Sequence, residues 1–179
     1  SVGATENTMI AACLAMGTST LENVAKEPEI VDLANFLNSM GAKISGAGTD
    51  VIRINGVDEL KGTEYTIIPD RIETGTYMVA AAITNGDVFI KNTNLSFLES
   101  VIQKLREIGV EIEENDEDVR VSSSNTFHPV DIVTQVHPGY PTDMQPIITP
   151  LLSIADGEST VKETIFDSRF NHVPELRKM

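Results

Sequence analysis

The 179-residue chain carries 27 acidic and 13 basic residues, for a formal net charge of −14, and 41% of its residues are apolar. Its length fits about one to one and a half domains, and its apolar content suffices for a packed core. The acidic balance argues against nucleic acid and anionic membrane surfaces as partners, since both attract an excess of Lys and Arg. A single cysteine cannot form an internal disulfide, which favours a reducing cytoplasm. No apolar run approaches the ~20 residues of a membrane span.

Three stretches of the chain share one layout, at a period of about 70 residues. Each begins with an apolar helix, continues through a glycine expected to form a left-handed helix cap, and enters a strand with alternating side chains. The helices are predicted over residues 8–16, 72–83 and 144–155. The capping glycines are Gly17, Gly86 and Gly157. The strands are predicted over residues 18–24, 87–92 and 159–165.

The first two stretches continue with a second helix that has one apolar face, then a glycine, a strand and a hairpin. The apolar faces are formed by Ile30, Leu33, Ala34, Leu37 and Met40, and by Phe97, Val101, Leu105 and Ile108. The hairpin turns are predicted at 47–50 and 115–118. The third stretch stops at Met179, before these elements, so we expect a truncated module with an unpaired edge and exposed apolar surface. A small α/β module is thus predicted, used about two and a half times.

The most constrained stretch is HPGYPTDMQ, residues 137–145. Pro138 and Pro141 fix two φ angles, and Pro141 biases Tyr140 away from the helical region. Asp143 follows where an apolar helix begins, so its carboxylate lies at the positive end of the helix dipole. From this pattern alone, Asp143 is either a helix N-cap or a functional carboxylate.

Four further motifs accompany this nonapeptide: SVGAT (1–5), AKEPEIVD (25–32), PDRIETGT (69–76) and RFNHV (169–173). In this order they resemble the UDP-N-acetylglucosamine enolpyruvyl transferase family, the 1-carboxyvinyltransferases of peptidoglycan synthesis. Members of that family are two-domain inside-out α/β barrels of six modules, with the active site between the domains. The resemblance implies an α/β (α+β) fold. Residues 1–69 would be the last module of the first domain, and residues 70–179 the first part of the second.

The resemblance also implies a reaction, the transfer of the enolpyruvyl group of phosphoenolpyruvate to the 3′-hydroxyl of UDP-N-acetylglucosamine, in the bacterial cytoplasm and without metal or cofactor. This chemistry needs a base for the hydroxyl proton, an acid for the vinyl methylene, and cations for phosphate and carboxylate. The family's acid is usually a cysteine on a loop of the first domain that this sequence lacks. We therefore expect the chain alone to be inactive, and the other segments to supply most of the cations.

Residue by residue, the resemblance makes Asp143 the candidate base, or the group that orients the hydroxyl. Ser1, Val2 and Gly3 match residues at the UDP diphosphate and stand just before a helix, where free N–H groups bind anions. The alternative for Ser1 is a plain N-cap.

Three further substrate-binding candidates lie near the end of the last predicted strand. Ile165 is expected to offer its backbone to the nucleotide sugar, or else to be a simple core residue. Phe166 and Arg169 follow it, and the guanidinium of Arg169 suits a phosphate or carboxylate on the phosphoenolpyruvate side. A surface ion pair with Asp167 is the alternative for Arg169. The family more often has Glu-Asn where this chain has Asp167-Ser168.

The cysteine and the three histidines are not expected to act in catalysis or metal binding. Cys13 lies on an apolar helix face and is interpreted as a small hydrophobe, distinct from the family's catalytic cysteine. His128, His137 and His172 lack the spacing of a metal site.

Two other functions stay open. A 3-phosphoshikimate 1-carboxyvinyltransferase-like enzyme would have the same barrel, although the PTDMQ and AKEPE blocks favour the UDP-sugar enzyme. A non-catalytic module of the same fold would bind a partner and release no phosphate.

Overall fold

The computed structural model describes residues 1–123 and 126–179, and the chain divides into two compact units, Ser1–Ile68 and Pro69–Met179. Each unit encloses its own cluster of buried apolar side chains. The assignment of these units to two domains of a six-module barrel stays a prediction.

The first unit combines two helices with a three-stranded antiparallel sheet. Its elements are α1 (Val2–Ala12), β1 (Thr18–Glu22), α2 (Pro28–Ser39), β2 (Lys43–Ser45) and β3 (Val51–Asn55). The strand order is β1-β3-β2, so β3 pairs on both sides. Side chains alternate along β3, which sends Ile52 and Ile54 into the core while Arg53 faces outward.

The second unit has the same order of elements, followed by further strands and helices. Its helices are α3 (Arg71–Ile83), α4 (Glu99–Ile108), α5 (Gln145–Ser153) and α6 (Val173–Leu176), with single turns of 3-10 helix at Leu95–Phe97 and Thr142–Met144. Its strands are β4 (Asp87–Ile90), β5 (Val110–Asn115), β6 (Asp118–Ser123), β7 (Ile132–Val133) and β8 (Val161–Lys162). The order β4-β6-β5 matches β1-β3-β2, and β7 pairs with β8 in parallel. Both predicted hairpins are confirmed, joining β2 to β3 and β5 to β6.

Helix α4 is the clearest amphipathic element. Val101, Leu105 and Ile108 are fully buried, as their spacing predicts, and Ile102 completes the buried face. Phe97 lies in the 3-10 turn before the helix and is only half-buried. Helix α4 thereby packs against β5, while α3 packs against β4 and β6.

The predicted start of the first helix is wrong, because α1 occupies residues 2–12 instead of 8–16. Ser1 initiates it, since its Oγ accepts the Ala4 N–H at 3.3 Å and its carbonyl accepts the Thr5 N–H at 3.0 Å. The helix ends at Cys13, so residues 13–16 form a turn. Val2 and Gly3 therefore belong to the first helical turn and do not precede the helix.

The predicted glycine caps also need correction. After α3 the left-handed residue is Asn85 (φ 51°), and Gly86 does not have a positive φ. Gly17 (φ 86°) and Gly157 (φ 144°) have positive φ but lie beyond the ends of α1 and α5. A left-handed glycine cap does occur at Gly109 (φ 105°), directly after α4.

The third stretch is shorter in regular structure than predicted. Strand β8 covers two residues, and the carboxylate of Glu163 then binds the backbone N–H groups of Ile165 and Phe166, which ends the strand. Large apolar side chains are exposed in this part of the chain, including Ile154 (53%) and Phe166 (53%).

We expect Gly109→Ala to lower the free energy of unfolding by about 1–2 kcal/mol, because an L-residue is strained at this φ. The added Cβ would also stand 3.0 Å from the carbonyl oxygen of Thr126. Gly62→Ala is the matched control, since an added Cβ there meets no atom of the described residues within 4 Å. Urea unfolding of both variants checks this, and equal stabilities would contradict the cap.

Candidate active site

The loop that leads to Asp143 is anchored in the core of the second unit. Tyr140 is 5% exposed and Met144 is fully buried, so the two residues between Pro141 and Met144 are held from both sides. Burial raises the pKa of Tyr140. Gly139 is required within the loop, because a Cβ there would lie 2.4 Å from the Cβ of Gln135.

Glu163 is the centre of the hydrogen-bond network beneath this loop. Its carboxylate accepts four hydrogen bonds, two from side-chain hydroxyls and two from backbone N–H groups. The donors to Oε1 are Thr134 Oγ1 at 2.8 Å, Ile165 N at 2.8 Å and Phe166 N at 3.1 Å, and the donor to Oε2 is Thr142 Oγ1 at 2.9 Å. One side chain thus ties the end of β7, the 3-10 turn and the segment after β8 together.

Arg169 lies above this network and contacts the predicted catalytic residue. Its Nη2 donates to Asp143 Oδ1 at 2.6 Å, and its Nη1 donates to Thr142 Oγ1 at 3.1 Å. The guanidinium carbon lies 5.3 Å from the ring centroid of Phe166, within cation–π range. The preceding residue, Ser168, has a left-handed backbone (φ 62°).

The hydrogen bonds at Thr142 can run in one direction only. A guanidinium has donors and no acceptor, and an ionised carboxylate has acceptors and no donor. The Thr142 hydroxyl must therefore donate to Glu163 and accept from Arg169. This arrangement satisfies all three groups together.

The pKa of Glu163 is lowered by its surroundings. Burial acts to raise it, but the four hydrogen bonds to the charged form outweigh burial. Glu163 is therefore ionised at neutral pH.

The structure supports neither of the purely structural roles that the sequence left open for Arg169 and Asp143. Arg169 pairs with Asp143, although the sequence offered Asp167 as its partner in a surface ion pair. Among the described residues, no side chain caps the 3-10 turn or α5, so Asp143 is not an N-cap. The structure brings together Asp143, Phe166 and Arg169 from the predicted set.

Ile165 is half-buried and lines an open cleft of about 610 Å³, so it is not a plain core residue. The cleft is lined by Gln135, Val136, His137, Pro138, Gly139, Thr164 and Ile165. It runs along the loop that precedes Asp143.

Ser1, Val2 and Gly3 lie in the other unit, at the start of α1. The N-cap role of Ser1 is confirmed by its bond to Ala4. Val2 and Gly3 lie in the first turn of α1, where N–H groups lack a hydrogen-bond partner within the helix.

A second open cleft, of about 670 Å³, follows α4 and contains none of the predicted site residues. Two of its charged groups, Arg106 and Glu114, form an ion pair at 2.7 Å.

The structural role predicted for Cys13 is confirmed. It is fully buried, its Sγ donates to the Met9 carbonyl at 3.3 Å, and burial raises its pKa. Over residues 1–123 and 126–179, no group of three or more His, Cys, Asp and Glu side chains is arranged to hold a metal ion. Within the same ranges, every helix is too short or too polar to reach across a membrane.

The sequence analysis missed Glu163, Thr134 and Thr142. In the sequence Glu163 lies inside the strand predicted over residues 159–165, so no local pattern indicated that its carboxylate ends the strand. Nothing in the sequence near Thr134 indicates that it meets Glu163, which lies 29 residues further along the chain.

Comparison with known proteins decides the family. The model described as EPSP synthase (3-phosphoshikimate 1-carboxyvinyltransferase) matches residues 1–179. The chain belongs to the EPSP synthase family. UDP-N-acetylglucosamine 1-carboxyvinyltransferase 1 of Halalkalibacterium halodurans is 58% identical to this family member over 179 residues, which are 100% of this chain and 41% of the relative. The Clostridium botulinum UDP-N-acetylglucosamine 1-carboxyvinyltransferase is 57% identical over 100% of this chain and 43% of its own length.

Among solved structures, the enolpyruvyl transferase NikO from Streptomyces tendae superimposes on this family member with a TM-score of 0.86. The match covers 98% of this chain and 42% of NikO at 24% identity, and it therefore speaks to the fold alone. The predicted α/β fold of enolpyruvyl transferases is confirmed, as is the family resemblance. The chain spans about two fifths of the length of the curated relatives it matches.

We expect Glu163→Gln to destabilise the protein in a pH-dependent way. A lowered pKa in the folded state stabilises the protein fully above the unfolded value, ordinarily 4.5, and this contribution is lost as the pH falls through the lower folded value. The difference in unfolding free energy between wild type and variant should therefore be largest near neutral pH and shrink as the pH falls below 4.5.

Urea unfolding at several pH values measures this difference. Glu158→Gln, at an exposed carboxylate in the segment before β8, is the matched control for the loss of one negative charge and should change the free energy of unfolding little. A Glu163→Gln difference that is constant with pH would contradict the lowered pKa.

Proposed function

We propose that this chain is part of a UDP-N-acetylglucosamine 1-carboxyvinyltransferase, which transfers the enolpyruvyl group of phosphoenolpyruvate to the 3′-hydroxyl of UDP-N-acetylglucosamine. The observation that carries the proposal is 54–58% identity over all 179 residues to relatives of that name. The bacterial origin of these relatives supports a bacterial enzyme of peptidoglycan synthesis, acting in the cytoplasm.

In this proposal Asp143 accepts the proton of the sugar hydroxyl, or orients it. Its side chain is 54% exposed, while its position is fixed by the buried Met144 and by the ion pair with Arg169. An exposed carboxylate on a fixed backbone can approach a bound hydroxyl within the roughly 2.6–3.2 Å that proton transfer requires. The geometry therefore suits a base better than a structural cap.

Arg169 serves in the proposal as a cation for the phosphate or carboxylate of phosphoenolpyruvate. A guanidinium has five N–H donors. Its hydrogen bonds to Thr142 and Asp143 use one N–H each, which leaves donors for an anion. The ring of Phe166 packs near the guanidinium of Arg169, within cation–π range.

The remaining predicted residues bind the nucleotide sugar in this proposal. Ser1, Val2 and Gly3 offer the start of α1 to the diphosphate, where helix N–H groups favour an anion. Ile165 offers its backbone at the edge of the 610 Å³ cleft.

The reaction balances without a redox partner. A new C–O bond forms between the sugar oxygen and C2 of phosphoenolpyruvate, the C–O bond to phosphate breaks, and the hydroxyl proton leaves with the phosphate. The transient protonation of the vinyl methylene is assigned, by resemblance, to a cysteine outside this sequence.

We expect Asp143→Asn in the intact enzyme to lower kcat by about 100-fold or more, since general base catalysis contributes roughly 10²–10⁴. The amide keeps the size of the side chain, so the melting temperature should change little. Asp156→Asn, at an exposed carboxylate just after α5, is the control and should keep wild-type turnover. Phosphate release measures both, and near-normal kcat in Asp143→Asn would rule out the base.

The two acceptors that the family includes are distinguished by one assay. Phosphate release from phosphoenolpyruvate is measured with the intact enzyme and either UDP-N-acetylglucosamine or shikimate 3-phosphate. We expect turnover with the UDP-sugar only. Turnover with shikimate 3-phosphate alone would favour the other activity, and release with neither acceptor would favour a non-catalytic module.

The isolated chain should release no phosphate, because the family's acid and most of its cations lie elsewhere. It should also bind UDP-N-acetylglucosamine much more weakly than the intact enzyme. Calorimetric titration compares the two, and equal affinities would contradict a binding site shared with other segments.

A further inference from the structure

We propose that Glu163 is a positioning residue for the transferase reaction, which fixes the guanidinium of Arg169 through the hydroxyl of Thr142. The reaction itself is the one proposed above, and the inference rests on it for its kinetic readout. Glu163 is not a catalytic residue in this account, because Thr142 and the backbone separate it from Asp143.

The first step of the argument is the hydrogen-bond direction at Thr142. Its hydroxyl donates its one proton to Glu163 Oε2 at 2.9 Å, so only lone pairs are left to face Arg169 Nη1 at 3.1 Å. Without the carboxylate, the hydroxyl proton is free to rotate toward the guanidinium, where it would meet another donor. Glu163 thus decides whether Thr142 attracts or repels Arg169.

The second step concerns the ring beneath the guanidinium. Oε1 of Glu163 accepts the backbone N–H groups of Ile165 and Phe166, at 2.8 and 3.1 Å, and so shapes the turn after β8. That turn carries the Phe166 ring to the face of Arg169. The carboxylate of Glu163 therefore positions both groups that contact the Arg169 guanidinium from this side, the Thr142 hydroxyl and the Phe166 ring.

The third step concerns how far Glu163, Thr142 and Asp143 are exposed to solvent. Glu163 and Thr142 are half-buried, whereas Asp143 is mostly exposed, so the network keeps its geometry below the surface and presents the reactive carboxylate above it. Misplacing a reacting group by about 1 Å can lower a rate by about 100-fold. A residue that fixes Arg169 from below is therefore expected to affect kinetics as well as stability.

The test is a double-mutant cycle in the intact enzyme with Glu163→Gln, Thr142→Val and the double variant. Gln replaces one acceptor oxygen with a donor, and Val removes the hydroxyl while keeping the branched shape. Glu158→Gln, at an exposed carboxylate, is the control and should stay near wild type. Thr142→Ser, which retains a hydroxyl, should recover much of the kcat/KM that Thr142→Val loses. Rates are expressed per folded enzyme, as determined by circular dichroism.

Each single variant should lower kcat/KM by roughly 10- to 100-fold, with a raised KM for phosphoenolpyruvate, because Arg169 is the group displaced. Thr142→Val should leave the KM for UDP-N-acetylglucosamine nearly unchanged. The double variant should be no less active than the less active of the two single variants. Both changes break the same connection, which runs from Glu163 through the Thr142 hydroxyl to Arg169. Multiplied effects, or a loss of folded protein with unchanged KM values, would overturn the proposal.

Failure of the proposed function is recognised separately. If the wild-type enzyme transfers nothing to UDP-N-acetylglucosamine, the proposed function is wrong. The connection between Glu163 and Thr142 is then tested by measuring the free energy of unfolding of the same single and double variants. Non-additive destabilisation there supports the coupling of Glu163 to Thr142 on which the positioning of Arg169 depends, and additive destabilisation refutes it.

Discussion

The half-buried carboxylate of Glu163, which is ionised and has no proton to donate, is the constraint on which the site depends. Once Glu163 is ionised, every polar neighbour must approach it as a donor, and the two hydroxyl donors come from segments 29 and 21 residues earlier in the chain. Leaving the buried hydroxyl donor of Thr134 unpaired would carry a desolvation cost of about 1–3 kcal/mol. The ends of β7 and β8 and the 3-10 turn at Thr142–Met144 are therefore fixed together.

The apolar core supports this polar network from below. Met144 packs against α3 so closely that a Cβ on Gly75 would lie 2.9 Å from its sulfur. Together with the buried Tyr140, this contact fixes the backbone on both sides of Thr142 and Asp143. Because the backbone is packed on both sides, the exposed carboxylate of Asp143 has a defined position, which it would not have on a freely moving surface loop.

The sequence was informative where one local rule dominates. The spacing of Val101, Leu105 and Ile108 predicts α4, because burial of one helix face follows directly from periodicity. Helix α1 has a weak boundary signal, since its apolar residues surround the helix and only Ser1 marks its start. Resemblance supplied Asp143 and Arg169, whereas their contact and the role of Glu163 depend on tertiary hydrogen bonds that no local pattern contains.

Ser168 shows how the site can be tuned without touching its side-chain contacts. Its left-handed φ of 62° is strained for serine, while asparagine and glycine enter this region more readily. Substitution at this exposed position alters the conformational freedom of the backbone that carries Arg169. Replacing Ser168 by asparagine or glycine would therefore relieve backbone strain next to Arg169 and change how firmly the backbone holds its guanidinium in place.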